Sequence, residues 1–149
     1  MILLDGSQLS KEIKVSLQSR IDYLKKNKIV PGLAVIFVGD NPESKMYISM
    51  KQKACQELGL KSQVYTFPEN EKENRILHKI KELNLDSSIH GILVQLPLPK
   101  HIKKDKIINE ISYVKDVDGF HVFNAGRLFQ NKECLFVPCT PQGCLEIID

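Results

Sequence analysis

The segment Leu33-Ala34-Val35-Ile36-Phe37-Val38 is apolar at every position, without alternation. A strand with one wet face alternates apolar and polar residues. One that does not is covered on both faces, as in a parallel sheet sandwiched between helices. A second such run, Ile89-His90-Gly91-Ile92-Leu93-Val94-Gln95, ends against Leu96-Pro97-Leu98-Pro99. Between them the periodicity changes to that of helices, so strand and helix alternate along the chain. The expected fold is α/β, a three-layer, mostly parallel sheet with helices on both faces.

The other elements follow from spacing and punctuation. Leu9, Ile13, Leu17, Ile21 and Leu24 predict a helix over residues 7–27. Asn41 as N-cap, Pro42 in the first helical position and Gly59 beyond the end bound a second helix. Its apolar stripe is read as Met46, Met50, Ala54 and Leu58, with Tyr47 and Lys51 at the border. A strand is expected over 63–67, then a helix carrying Ile76, Leu77, Ile80 and Leu83, and a short helix over 103–111. The rest reads as loop-rich until Pro141 opens a last helical segment with Leu145, Ile147 and Ile148.

Composition excludes several classes. The chain has 149 residues, a size suited to one domain, and an apolar fraction of 42%. No stretch approaches the about 18 consecutive apolar residues of a membrane span. The start, Met1 to Gly6, has neither a basic leader nor a small-residue cleavage site, so a cytoplasmic protein is expected. A net charge of +3 with dispersed lysines names no nucleic-acid partner, and Lys25-Lys26-Asn27-Lys28 reads as cations at a helix end. Four cysteines without a C-x-x-C pair argue against zinc and for reduced, packed thiols. The four histidines have no spacing that builds a metal site or a triad.

Ligands of parallel α/β sheets gather at the carboxyl ends of the strands. Two such ends are chemically distinctive: Gly39 to Ser44, and Gln95 to Pro99. Tyr47 and Lys51, four apart on a helix, project from one face. Taken alone, they read as an exposed lysine laid across a half-buried tyrosine. Gln95 reads as a backbone cap or as a partner for a lysine amine. Asp116-Val117-Asp118-Gly119 reads as an Asx-type turn, and its spacing does not make an EF-hand. No G-x-G-x-x-G turn is present.

Together these segments form an ordered set: Val38-Gly39 with Ser44, Tyr47 and Lys51; Gly91 to Pro99; Lys115 to Gly119; and Pro138-Cys139-Thr140-Pro141 with Gly143. The set closely resembles the amino-terminal catalytic domain of the bifunctional methylenetetrahydrofolate dehydrogenase/methenyltetrahydrofolate cyclohydrolase family, over essentially the whole chain. Arg75 and Tyr113 depart from the residues usual at those places. The resemblance implies a folate-binding catalytic domain over 1–140. Residues 141–149 would begin a helix leading to a Rossmann-type NADP domain that this chain lacks.

The implied chemistry is NADP-dependent oxidation of 5,10-methylene-tetrahydrofolate, then hydrolysis of the methenyl product to 10-formyl-tetrahydrofolate. A folate-holding module without turnover is the alternative. Lys51, Gln95 and Tyr47 are the expected catalytic residues. A lysine amine serves as base when its pKa falls from about 10.4 toward neutrality, as burial under a bound ring favours. Tyr47, Asp118, Ser44, Leu96, Pro97 and Pro99 are expected against the substrate, with Ser44 steadying Lys51. Cys139 is placed toward the nicotinamide side, with ordinary packing as its other reading. No metal, nucleic acid or membrane is implied, and full-length family members are expected as homodimers.

Overall fold

The computed structural model describes residues 4–148. Met1 to Leu3, from the stretch read for a leader, and Asp149, at the end of the linking segment, lie outside the described residues. The element order is α1 (Gly6–Lys26), β1 (Gly32–Val38), α2 (Pro42–Leu58), β2 (Lys61–Phe67), α3 (Glu73–Leu85), β3 (Gly91–Val94), α4 (Lys104–Glu110), α5 (Val122–Phe129) and α6 (Cys139–Ile148).

The three strands are parallel in the order β2-β1-β3, so the uniformly apolar β1 is central. Its register runs from Gly32 opposite Lys61 to Val38 opposite Phe67, and from Leu33 opposite Gly91 to Ile36 opposite Val94. Alternate β1 residues serve different layers. Ala34, Ile36 and Val38 pack with Ile92 and Val94 against Ile76 and Ile80 of α3 and Ile107 of α4. Val35, Phe37 and Leu93 face Ile48 of α2. This division is the reason β1 does not alternate in sequence.

Local signals set the helix ends. Asp5 Oδ1 accepts from the amides of Ser7 and Gln8 at 2.9 and 3.1 Å, closing the first turn of α1. Asn41 Oδ1 accepts from Ser44 N at 2.9 Å at the start of α2. Gly59 ends α2 at φ 67°, a left-handed conformation that costs glycine little. Lys25 is at a helix end, but its ammonium donates to Leu58 O of α2 at 3.2 Å and so caps a neighbour.

Two expectations are corrected. The inward face of α2 is Ser44, Ile48 and Cys55, all buried, whereas Met46 and Met50 are 54% and 61% exposed. Both sets have helical spacing. A small serine, a β-branched isoleucine and a cysteine let the helix lie close to the sheet, and the methionines project from the far side. Lys51 is therefore in line with the buried stripe (44, 48, 51, 55) rather than beside an outer one. The second correction is α5, which occupies a stretch read as loop. It has only eight residues with Gly126 inside, and takes its cap from His121 Nδ1, which accepts from Phe123 N at 3.0 Å.

Candidate active site

Because β1 and β3 are parallel, their carboxyl ends open on one edge of the sheet, where α2 also begins. Gln95 follows β3 directly, its amide donating to Ile36 O at 2.9 Å and so extending the ladder one residue. That bond fixes where the Gln95 side chain leaves the sheet. Lys51, in the third turn of α2, reaches it: Nζ donates to Gln95 Oε1 at 2.9 Å. The other end of the carboxamide donates to Leu96 O at 3.0 Å. Ser44 Oγ donates to the same carbonyl at 3.5 Å. Ser44 thus fastens α2 to the loop after β3, and the bond to Lys51 comes from Gln95.

Tyr47, one turn before Lys51, is 51% exposed, leaving much of its ring open. Leu96 lines a cleft of about 410 Å³ with residues of α4 and α5, including Ile108 and Ala125. Pro97 and Pro99 border a separate depression of about 390 Å³ with Gly39, Asn41 and Glu69. Lys51 and Gln95 are half-buried and line neither depression.

Asp118 comes from the loop after α4. Partial burial pushes its carboxyl above the ordinary range, Lys51's positive charge opposes this, and Asp116's negative charge adds to it. Cys139, the first residue of α6, donates through Sγ to Val117 O at 3.2 Å. Desolvation, then the negative charge of Asp118, pushes its thiol up. Cys139 is therefore a protonated thiol pinned beside Asp118. Lys51, Gln95, Asp118 and Cys139 form one electrostatic neighbourhood, with a single basic amine facing a partly desolvated carboxyl. Such a pair can accept hydrogen bonds at the carboxylate and handle protons at the amine.

Sequence reasoning named Lys115 and Asp116 only within a motif, without their supporting roles, and missed Asn124. Lys115 Nζ donates to Leu83 O and Asp86 O at 3.0 and 2.8 Å, closing the end of α3. Desolvation lowers its pKa, and the charge of Asp86 opposes that. Asp116 is 1% exposed and accepts from the amides of Phe120 and His121 at 3.3 and 2.9 Å. Asn124, fully buried, donates to Asp116 Oδ2 at 3.0 Å. These contacts span up to 32 residues, so only a buried-polar pattern on α5 could have pointed to them.

The profile of the tetrahydrofolate dehydrogenase/cyclohydrolase catalytic domain matches residues 4–118. The chain belongs to this family. Its relatives include the bifunctional protein FolD of Nautilia profundicola, 50% identical over 149 residues, covering 100% of this chain and 52% of the relative. FolD of Listeria innocua is 51% identical over 146 residues, covering 98% and 51%. The crystal structure of the bifunctional enzyme FolD from Campylobacter jejuni superposes with a TM-score of 0.96 at 51% identity, covering 99% of this chain and 52% of that one. The Trypanosoma brucei FolD, complexed with NADP cofactor and inhibitor, gives 0.93 at 30% identity, covering 99% and 50%. The chain thus spans about half the length of the tetrahydrofolate dehydrogenase/cyclohydrolase family members it matches. Among the described residues no helix is long and apolar enough to cross a membrane. No group of three or more His, Cys, Asp or Glu side chains could hold a metal ion there.

Proposed function

We propose that this chain supplies the folate-binding catalytic half of a methylenetetrahydrofolate dehydrogenase/methenyltetrahydrofolate cyclohydrolase. The full reaction sequence oxidises 5,10-methylene-tetrahydrofolate to the methenyl form and hydrolyses that to 10-formyl-tetrahydrofolate. The observation that carries the reading is the 2.9 Å hydrogen bond between Lys51 and Gln95 at the carboxyl edge of the sheet, in a chain of this family. Residues 1–140 form the substrate-binding domain, and 141–149 lead toward the part of the longer relatives not covered here.

Hydrolysis adds water to the electrophilic methenyl carbon, and a group must manage the protons. Lys51 has that role. Gln95 orients the amine and, being neutral, adds no charge that would hold it as ammonium. Asp118 accepts hydrogen bonds from the pterin 2-amino and ring N–H groups, a pairing strengthened by charge. Tyr47 offers its open ring to the aromatic parts of the folate. Leu96, Pro97 and Pro99 supply apolar contact, and Ser44 holds the loop that carries them.

The turn before α2 does not suit the pyrophosphate of NADP. Gly39 is the only glycine in the turn before α2, and the Ser44 amide there is already taken by Asn41. Glu43 puts negative charge in the first turn of α2, where a pyrophosphate would need positive potential, and Lys45 there is already paired with Asp40. NADP is assigned to the uncovered half of the relatives, with Cys139 at its border. Homodimerisation is assigned to the full-length protein.

Thermal stability on titration tests the reading. A 5,10-methenyl-folate analogue is expected to raise the melting temperature, and NADP to leave it nearly unchanged. A chain indifferent to the folate analogue contradicts the proposal.

A further inference from the structure

Asp118 needs a fixed direction, yet it lies in a loop, Tyr113 to His121, with no regular structure of its own beyond one bridge. That bridge pairs Asp116 with Ile92 of β3, whose amide donates to Lys115 O at 2.7 Å. From there the chain turns outward through Val117, Asp118 and Gly119 and back to α5. Both limbs of the turn are held by one buried carboxylate, since Asp116 takes the amides of Phe120 and His121.

Asn124 holds that carboxylate in turn. It sits on α5 with no exposed surface, and its Nδ2 donates to Asp116 Oδ2 at 3.0 Å and to Tyr113 O at 2.9 Å. One side-chain nitrogen thereby ties the entrance of the loop to its anchor. Its Oδ1 is buried and has no partner among the described residues. An orphaned buried carbonyl costs free energy, about 1–3 kcal/mol in typical cases. The amide is thus turned toward Asp116 and Tyr113 at the expense of its own oxygen, which points to a demand on loop geometry.

We propose that Asn124 is a positioning residue for Asp118: through Asp116 and Tyr113 it sets the angle at which the Asp118 carboxylate meets its ligand. The inference rests on the folate reading for its binding arm and deepens that reading. Two other supports define the apex. The Val117 carbonyl accepts from Cys139 Sγ. Gly119 lies at φ 70° with the Val137–Pro138 backbone against it. The Asn124 link can be cut by a side-chain change at a fully buried residue.

A double-mutant cycle tests the proposal. Asn124→Ala is combined with Asp118→Ala, and the affinity of this chain for a 5,10-methenyl-folate analogue is measured by calorimetry. Asn124→Ala is expected to weaken binding about tenfold beside Asp118 and less than about twofold in the Asp118→Ala background, the coupling usual for one hydrogen-bonded network. Equal losses in both backgrounds overturn the proposal, because a merely structural role is additive. Asn124→Ser, which keeps a donor, carries the same cycle independently and is expected to restore part of the affinity. The second readout needs no ligand: the Asp118 carboxyl titration followed by carbon NMR, in surroundings that include Lys51, Asp116 and Cys139. Freeing the loop hydrates Asp118, so its midpoint should fall toward the ordinary aspartate value in Asn124→Ala. An unchanged midpoint overturns the proposal even if the folate reading stands. A wild-type chain that ignores the analogue while the midpoint falls defeats the folate reading alone.

Discussion

Lys51 Nζ and Gln95 Oε1 are 2.9 Å apart, joining the third turn of α2 to the residue that follows β3. The two are 44 positions apart in sequence and meet because β1 and β3 end on one edge. The contact holds the only amine of the buried α2 stripe in a defined place, using a neutral partner.

Gln95→Glu replaces that partner with a carboxylate at hydrogen-bond distance. The added charge makes a charge-assisted pair that ties the Lys51 amine down and keeps it from handling the protons of the reaction. Cyclohydrolase turnover is expected to fall about a hundredfold or more, on the scale of lost acid–base catalysis. Affinity for the folate analogue should change far less. A steady-state assay with separate kcat and KM values checks this split.

Asp118 imposes a pH-dependent cost on folding. Burial raises its folded pKa above the ordinary 3.8, so the folded chain keeps a proton that the unfolded chain has released. Stability from this group therefore falls as pH rises from 3.8 through the folded value. Asp118→Asn should melt higher than the parent at neutral pH and lose that advantage below pH 3.8, as thermal scans across the range would show.

Glu73 has the opposite sign. Its carboxylate accepts from Lys106 Nζ at 2.7 Å and from Lys103 N at 2.8 Å, tying the start of α4 to the start of α3. The side-chain bond to Lys106, then the backbone bond, lowers its pKa. The stabilisation is complete above the ordinary value of 4.5 and is lost as pH falls through the folded value. Glu73→Gln should melt lower than the parent at pH 7 and draw level with it in acid.

Gly119→Ala combines backbone and steric penalties. The residue sits at φ 70°, and an added Cβ would lie 2.7 Å from Pro138 N. Strain of this kind costs about 1–3 kcal/mol, and here the loop bearing Asp118 must also shift. Chemical denaturation should show the loss, together with weaker folate binding.

The terminal helix α6 buries none of its residues, and Leu145 and Ile148 are exposed. Apolar surface of this kind promotes association. Sedimentation should show concentration-dependent self-association of this chain, reduced by Leu145→Asp.

Much of the architecture was legible because burial writes itself into spacing. The unbroken apolar run of β1 identified a strand covered on both faces, and Ile76, Leu77, Ile80 and Leu83 marked the buried face of α3, all four of them in the core. The rotation of α2 was not legible, since Met46 and Met50 obey the same spacing as Ser44 and Ile48. What separates them is how closely each set lets the helix approach the sheet. The short helix α5 was hidden by its length and by Gly126. In the candidate site, Lys51 and Gln95 could be named from strand-end position and the ordered motifs. The Asp116–Asn124 anchor and the Lys115 cap could not, because they satisfy backbone groups on other elements that no local pattern announces.

The central claim is that the Lys51 amine handles the protons of methenyl hydrolysis. The most direct measurement is the loss of 5,10-methenyl-tetrahydrofolate absorbance, without NADP, with the parent chain and with Lys51→Met at matched ligand saturation. The account predicts steady hydrolysis by the parent above the buffer rate and none by the variant. Full turnover by Lys51→Met, or binding by the parent with no hydrolysis, would contradict it.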